Sequence, residues 1–143
     1  MARQSLVNHE HAVSRKNIAL ASDLHGDVVV KGDPEAMRQV IDNLIMNAIQ
    51  YTPQGGQVHV SVNRKGAEAF VSVKDTGVGI PPEHQPRIFE PFYRVDKHRS
   101  REDGGTGLGL SIVKHLVQSM DGKVSVSSEP GLGSTFLVQM KSL

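Results

Sequence analysis

The run Gly104-Gly105-Thr106-Gly107-Leu108-Gly109 constrains this chain more than any other stretch, because it puts four glycines into six residues directly ahead of an amphipathic segment. A backbone that rich in glycine bends freely and lets another group approach it closely. Beyond it, Leu110, Val113, Leu116, Val117 and Met120 recur at helical spacing. A glycine loop feeding a helix N-terminus makes a phosphate site, since free N–H groups and the helix dipole both favour an anion. The same run also serves as a flexible connector, and a glycine motif by itself does not choose between the two.

The remaining sequence narrows the choice. At 143 residues the chain has the size of one domain and buries a core without cross-links. It has no cysteine, which excludes a disulfide framework and thiolate metal sites. A formal net charge of +1 gives no basic surface for nucleic acid or a membrane. No apolar run approaches a membrane span or a signal peptide. Residues 1–16 are polar and without periodicity and read as a linker or tail; His9-Glu10-His11 within them reads as solvated rather than as a metal pair. Residues 17–143 read as the folded domain.

Within that domain, residues 17–21 and Val28-Val29-Val30 are short strand candidates. Asp33 caps a helix with Pro34 at its first position, and the helix runs to about Gln50. Val58, Val60 and Val62 alternate with polar residues, as do Ala69, Val71 and Val73 after the Asn63–Gly66 turn, which makes a hairpin. Pro81-Pro82-Glu83 starts a short helix reaching about Ile88. Residues 89–107 read as a long loop, a length that inside a compact domain is usually functional or mobile. Strands at Val124–Val126 and Phe136–Val138 flank the turn Glu129–Gly133. The expected architecture is an α/β two-layer sandwich: a mixed, mostly antiparallel sheet of about five strands on three helices.

Four further boxes hold groups able to do chemistry. On the 34–50 helix, Gln39, Asn43, Asn47 and Gln50 lie beside the apolar stripe Met37, Val40, Ile41, Leu44, Ile45 and Ala48. Side-chain carbonyls there suit a hard cation such as Mg²⁺, or else form a polar shoulder bonded to nearby backbone. Asp75-Thr76-Gly77-Val78-Gly79-Ile80 ends a buried strand with an acid and two glycines. It either packs on a flat ligand whose amine the carboxylate accepts, or is a simple turn. Ile88-Phe89-Glu90-Pro91-Phe92-Tyr93-Arg94 concentrates aromatics in a segment otherwise poor in apolar groups, and its arginine is able to reach a phosphate. Gly131-Leu132-Gly133-Ser134-Thr135 alone says only hairpin.

The order of these boxes over residues 17–141 resembles the ATP-binding catalytic domain of bacterial sensor histidine kinases. That domain belongs to the wider Bergerat-type family with the gyrase, mismatch-repair and heat-shock-chaperone ATPases. Tyr93-Arg94-Val95-Asp96-Lys97 and the glycine run look most like the phosphate-regulon type of sensor. The resemblance implies ATP and Mg²⁺ as cofactors, with catalytic roles for Asn43, Asn47 and Arg94. Asn47 matches the Mg²⁺ ligand, Asn43 a residue of the phosphate region, and Arg94 a basic group near the terminal phosphate. It implies nucleotide contacts by Tyr51, Asp75, Gly77, Gly79 and Ile80. Gly105, Thr106, Gly107, Leu108 and Gly109 match the hinge of a lid, and Thr135 matches a threonine at the adenine end.

The resemblance also implies transfer of the γ-phosphate to a histidine on a separate dimerisation domain, for relay to a response-regulator receiver domain. The acceptor pattern, His followed by Glu-Leu-Arg-Thr-Pro, does not occur in this chain. The implied setting is a cytoplasmic domain, monomeric when isolated, of a parent anchored in the bacterial inner membrane. Two departures matter. Gln50 stands where many sensor kinases carry Lys. Asn43 stands where hydrolysing relatives carry a glutamate, and an amide cannot take a proton from water. The alternatives are a conformational clamp that hydrolyses ATP, like the gyrase and chaperone relatives, and a nucleotide-binding module without transfer activity.

Overall fold

The computed structural model describes residues 1–25, 28–95 and 109–143. Two short helices, α1 (Ala2–Asn8) and α2 (Glu10–Arg15), lead into strand β1 (Ala19–Leu24). Helix α3 (Pro34–Tyr51) follows, then β2 (Gln57–Lys65) and β3 (Glu68–Asp75). A single 3-10 turn (Gln85–Arg87) precedes helix α4 (Gly109–Ser119), and β4 (Lys123–Glu129) and β5 (Gly133–Lys141) close the fold. The sheet order is β1-β2-β3-β5-β4. β1 runs parallel to β2, and the other pairs are antiparallel, so the mixed five-stranded sheet is as expected.

Helix α3 is the spine of the second layer. Asp33 caps it by accepting the Glu35 N–H at 2.9 Å, ahead of Pro34 at the first position. Its apolar stripe is buried, with Val40, Leu44, Ile45 and Ala48 fully so. The stripe packs on the inward residues of the sheet: Val58 and Val60, Val71 and Val73, Phe136 and Val138. Val113 and Val117 of α4 join the same core. Each such side chain contributes about 1.5–3 kcal/mol of burial, and Leu44→Ala at the centre is expected to cost about 2–5 kcal/mol.

Three local expectations are corrected. Residues 1–16 are helical rather than irregular, because Ser5, His9 and Val13 repeat every four residues and are all buried against the domain. Ala2, Leu6 and Ala12 pack beside them, but the polar Ser5 and His9 interrupt the apolar pattern in the sequence. Val28-Val29-Val30 forms no strand; Val30 makes one isolated bridge to Ser142 and Val29 is exposed. The short helix expected after Pro81 is a 3-10 helix, Gln85–Arg87, entered through tight turns, and not an α-helix. His84 N–H bonds Pro81, Gln85 bonds Pro82, and Arg87 bonds His84, all three residues back. Pro86 has no N–H to give, which favours this tighter pattern over an α-helix.

Candidate active site

At the C-terminal end of β3 a cavity of about 210 Å³ opens between the sheet and the helices. Asn47 and Tyr51 of α3 form one wall, Asp75, Val78, Gly79 and Ile80 the floor, and Tyr93, Arg94 and Val95 another wall. Leu110, in the first turn of α4, and Ser134 and Phe136 of β5 complete it. A larger apolar hollow of about 500 Å³ lies at the opposite end of the sheet, around Ala69 and Met140, and contains none of the polar boxes.

Asp75 is the organising group. It is 4% exposed, and its Oδ1 accepts the N–H of Gly77 at 2.8 Å and of Ser134 at 3.2 Å. Among the described residues no hydrogen bond is donated to its Oδ2, and the residue lines the cavity. Burial pushes the carboxyl pKa up, and the two backbone N–H groups pull it back down. The carboxylate is therefore poised to gain from a donor supplied by a ligand.

The turn after Asp75 is clamped on both sides. Val78 N–H donates to the Tyr51 carbonyl at 3.2 Å, and Gly131 N–H donates to the Val78 carbonyl at 2.8 Å. A Cβ on Gly77 would sit 2.5 Å from the Tyr51 carbonyl oxygen, and one on Gly79 would sit 2.1 Å from the Glu129 carbonyl oxygen. Gly79 also has φ +75°, so both conformation and space exclude a side chain there. Below it, Ile80 N–H donates to Ser128 Oγ at 2.7 Å, Ser128 Oγ lies 2.8 Å from Ser134 Oγ, and Gln85 Nε2 bridges the Ile80 and Ser128 carbonyls. This serine–glutamine network ties the floor to the β4–β5 hairpin.

The opposite wall hangs on aromatics. Phe89 packs edge-on against Phe136, with ring centroids 6.2 Å apart. Arg87 stacks on the Tyr93 ring at 4.6 Å, and the Tyr93 hydroxyl pairs with the His84 ring. This seats Arg94 on the cavity.

The comparisons with known proteins decide what this cavity belongs to. The family described as histidine kinase-, DNA gyrase B-, and HSP90-like ATPase matches residues 32–142. The chain belongs to this ATPase family. The sensor-like histidine kinase SenX3 of Mycobacterium tuberculosis is 42% identical over 140 residues, which is 98% of this chain and 34% of the relative. The phosphate regulon sensor protein PhoR of Pseudomonas aeruginosa is 41% identical over 133 residues, 92% of this chain and 30% of that one. The chain therefore spans about a third of the length of the curated relatives it matches. Full-length ShkA in complex with AMPPNP superposes with a TM-score of 0.86 at 30% identity, covering 99% of this chain and 29% of that one.

Within this ATPase fold, the cavity brings together Asn47, Tyr51, Asp75, Gly79, Ile80 and Arg94. Gly77 stands behind Asp75 as its hydrogen-bond donor. Asn43 lies one turn before Asn47 on α3. Its Nδ2 is buried without a partner among the described residues, a donor that asks for an acceptor. Gly109 begins α4 beside the cavity. Gly105, Thr106, Gly107 and Leu108, with the middle of the expected loop, lie outside the described residues. Thr135 does not line the cavity: it pairs with Lys74 and points to the other face of β5. Ser134, opposite Asp75 in the register, takes the place expected for it. Alternation from Phe136, whose apolar side chain must face inward, was the signal that would have found Ser134.

The residues present fit a magnesium nucleotide. Among the described residues no cluster of three carboxylate, histidine or cysteine groups forms a cage. Neutral amides on α3 instead suit a cation that arrives held by phosphates.

Proposed function

We propose that this chain is the catalytic ATP-binding domain of a sensor histidine kinase, which binds Mg·ATP and donates its γ-phosphate to a histidine on a separate dimerisation domain. The observation that carries the reading is Asp75, buried, pinned through Oδ1 by two backbone N–H groups, and lining a cavity whose walls hold Asn47 and Arg94.

The roles follow from the chemistry. Asp75 Oδ2 accepts a hydrogen from the exocyclic amine of adenine, a charge-assisted bond strengthened by burial. Gly77 and Gly79 let the ring lie against backbone. The base occupies the cavity, and the phosphates extend toward Asn43, Asn47 and Arg94. Bound Mg²⁺ would neutralise the phosphate oxygens, held by Asn47 through its side-chain carbonyl. Arg94 stabilises charge on the terminal phosphate. Phosphoryl transfer needs mainly such positioning and charge stabilisation, so the domain requires no nucleophile of its own. Asn43 takes no proton from water, which favours transfer over hydrolysis. The accepting partner is the dimerisation domain of the same kinase, and a response-regulator receiver domain is the next acceptor.

Labelled ATP mixed with this domain and a panel of histidine-bearing dimerisation domains tests the proposal. Acid-labile label on an acceptor is expected, with negligible phosphate release when the acceptor is omitted. Steady hydrolysis without acceptor, and no transfer with it, would instead make the chain an ATPase clamp.

A further inference from the structure

The C-terminal end of α3 carries Asn47 and Tyr51, and its carbonyls are fully accounted for. A helix leaves its last four carbonyls without intrahelical partners. Here Ala48 O accepts the Thr52 hydroxyl at 2.6 Å, and Tyr51 O accepts the Val78 N–H at 3.2 Å. The two between them are taken by one distant side chain. Lys16 Nζ donates to Ile49 O at 2.8 Å and to Gln50 O at 3.0 Å, and its third hydrogen goes to Thr52 O at 3.0 Å. An ammonium has three donors, and this one spends all of them on a single helix end. It also places a positive charge at the negative end of the α3 dipole.

Lys16 is itself held in place. Its N–H bonds Ala12 O, its carbonyl accepts Gly55 N–H at 3.4 Å, and buried Val13 and Ile18 anchor it on either side. The segment that the sequence presents as a tail thus fixes the last turn of α3. From there the Tyr51 carbonyl fixes Val78, and with it the floor of the cavity.

We infer that Lys16 is a positioning residue for the nucleotide site, acting through the α3 C-terminus on Tyr51, Asn47 and the Val78–Gly79 turn. The inference rests on the nucleotide reading of the cavity given above. The same carbonyl row serves both the helix end and the site, so a change at Lys16 reaches affinity as well as stability.

Mg·ADP binding by calorimetry, beside thermal unfolding, tests it on three proteins. The unmutated domain is expected to bind; if it does not, the nucleotide reading itself fails. Lys16→Met, which keeps length but loses charge and donors, is expected to raise Kd roughly fivefold or more. Lys16→Arg, which keeps the charge but replaces the compact three-donor ammonium with a planar fork, is expected to raise Kd less than Lys16→Met does. With a folded Lys16→Met, a lowered Tm and a Kd within twofold of the parent overturns the inference, since that is what a purely structural tether gives. A measurement without mutation covers the case in which Lys16→Met does not fold. Coupling is reciprocal, so Mg·ADP added to the unmutated protein must shift the Lys16 ammonium resonance and slow its hydrogen exchange. An unmoved ammonium in a protein that binds Mg·ADP overturns it equally.

Discussion

The two walls of the cavity are built by different means. The floor, from Asp75 to Ile80, is locked by backbone: Tyr51, Gly131 and Ser134 bond into it, and two glycines let neighbouring chain approach to distances no side chain permits. The wall from Phe89 to Val95 has backbone bonds only to its own turn, Glu90 N–H to Arg87 O and Tyr93 N–H to Glu90 O among the described residues, and is packed by side chains, through Phe89 on Phe136 and Tyr93 under Arg87. Beside these anchors Phe92 is 71% exposed and sits at φ +64°, a left-handed conformation that an aromatic residue rarely adopts. A backbone-locked floor is formed before any ligand arrives, and it suits recognition of a rigid base. A wall packed mainly through a few rings has fewer such constraints. The contrast assigns affinity and shape to the floor and adjustment to the wall.

The sharpest way to break this contrast is Gly79→Ala. The methyl would meet the Glu129 backbone at 2.1 Å in a conformation strained for alanine, and backbone cannot swing aside as a side chain does. A loss of about 3 kcal/mol is expected from urea unfolding. Gly131 is the control: its φ is +81° but nothing lies within 4 Å, so alanine there should cost about 1 kcal/mol, the conformational part alone. Equal costs at the two positions would mean that the floor is not locked by close packing.

Asp75→Asn separates affinity from stability. Losing the charged acceptor for adenine is expected to weaken Mg·ADP binding about 10- to 100-fold in a calorimetric titration. Stability should move the other way. Burial raises the folded pKa of Asp75 above its ordinary value of 3.8. The carboxyl's favourable contribution is therefore complete below the unfolded pKa and is lost as pH rises through the folded one. The neutral amide avoids that loss and still accepts from Gly77 and Ser134. The stability of Asp75→Asn relative to the parent should therefore climb as pH rises from about 4 and level off above the raised pKa. A variant that loses stability along with affinity at neutral pH would show Asp75 to be mainly structural.

What was legible in the sequence follows the same division. Helix α3, the β2–β3 hairpin and the glycine floor were readable because apolar period and turn chemistry agree there with the fold. Helices α1 and α2 were not, since their inward face mixes buried Ser5 and His9 with Ala2, Leu6, Ala12 and Val13, too short and interrupted an apolar pattern to stand out. Ser134 and not Thr135 lines the cavity, because strand alternation fixes the facing side and motif spacing does not reveal it. Lys16 was invisible for a third reason: its partners are backbone carbonyls more than thirty residues away, and carbonyls carry no sequence signature. Side chains that serve backbone at long range are the class that a single sequence conceals.

The mildest test is Phe92→Gly, in the adjustable wall. Glycine takes φ near +64° without the clash that an L side chain meets, which returns about 1 kcal/mol. It also gives the unfolded chain more freedom, which removes a similar amount. Because the ring is exposed, little burial is lost, and the net change in urea midpoint should correspond to less than about 0.5 kcal/mol. A larger loss would mean that the Phe92 ring holds the wall in place, and the two sides of the cavity would then be equally rigid. A near-zero change, set against about 3 kcal/mol at Gly79, locates the tightest packing of the cavity in the backbone around Asp75 and shows that the Phe92 ring adds little to the wall.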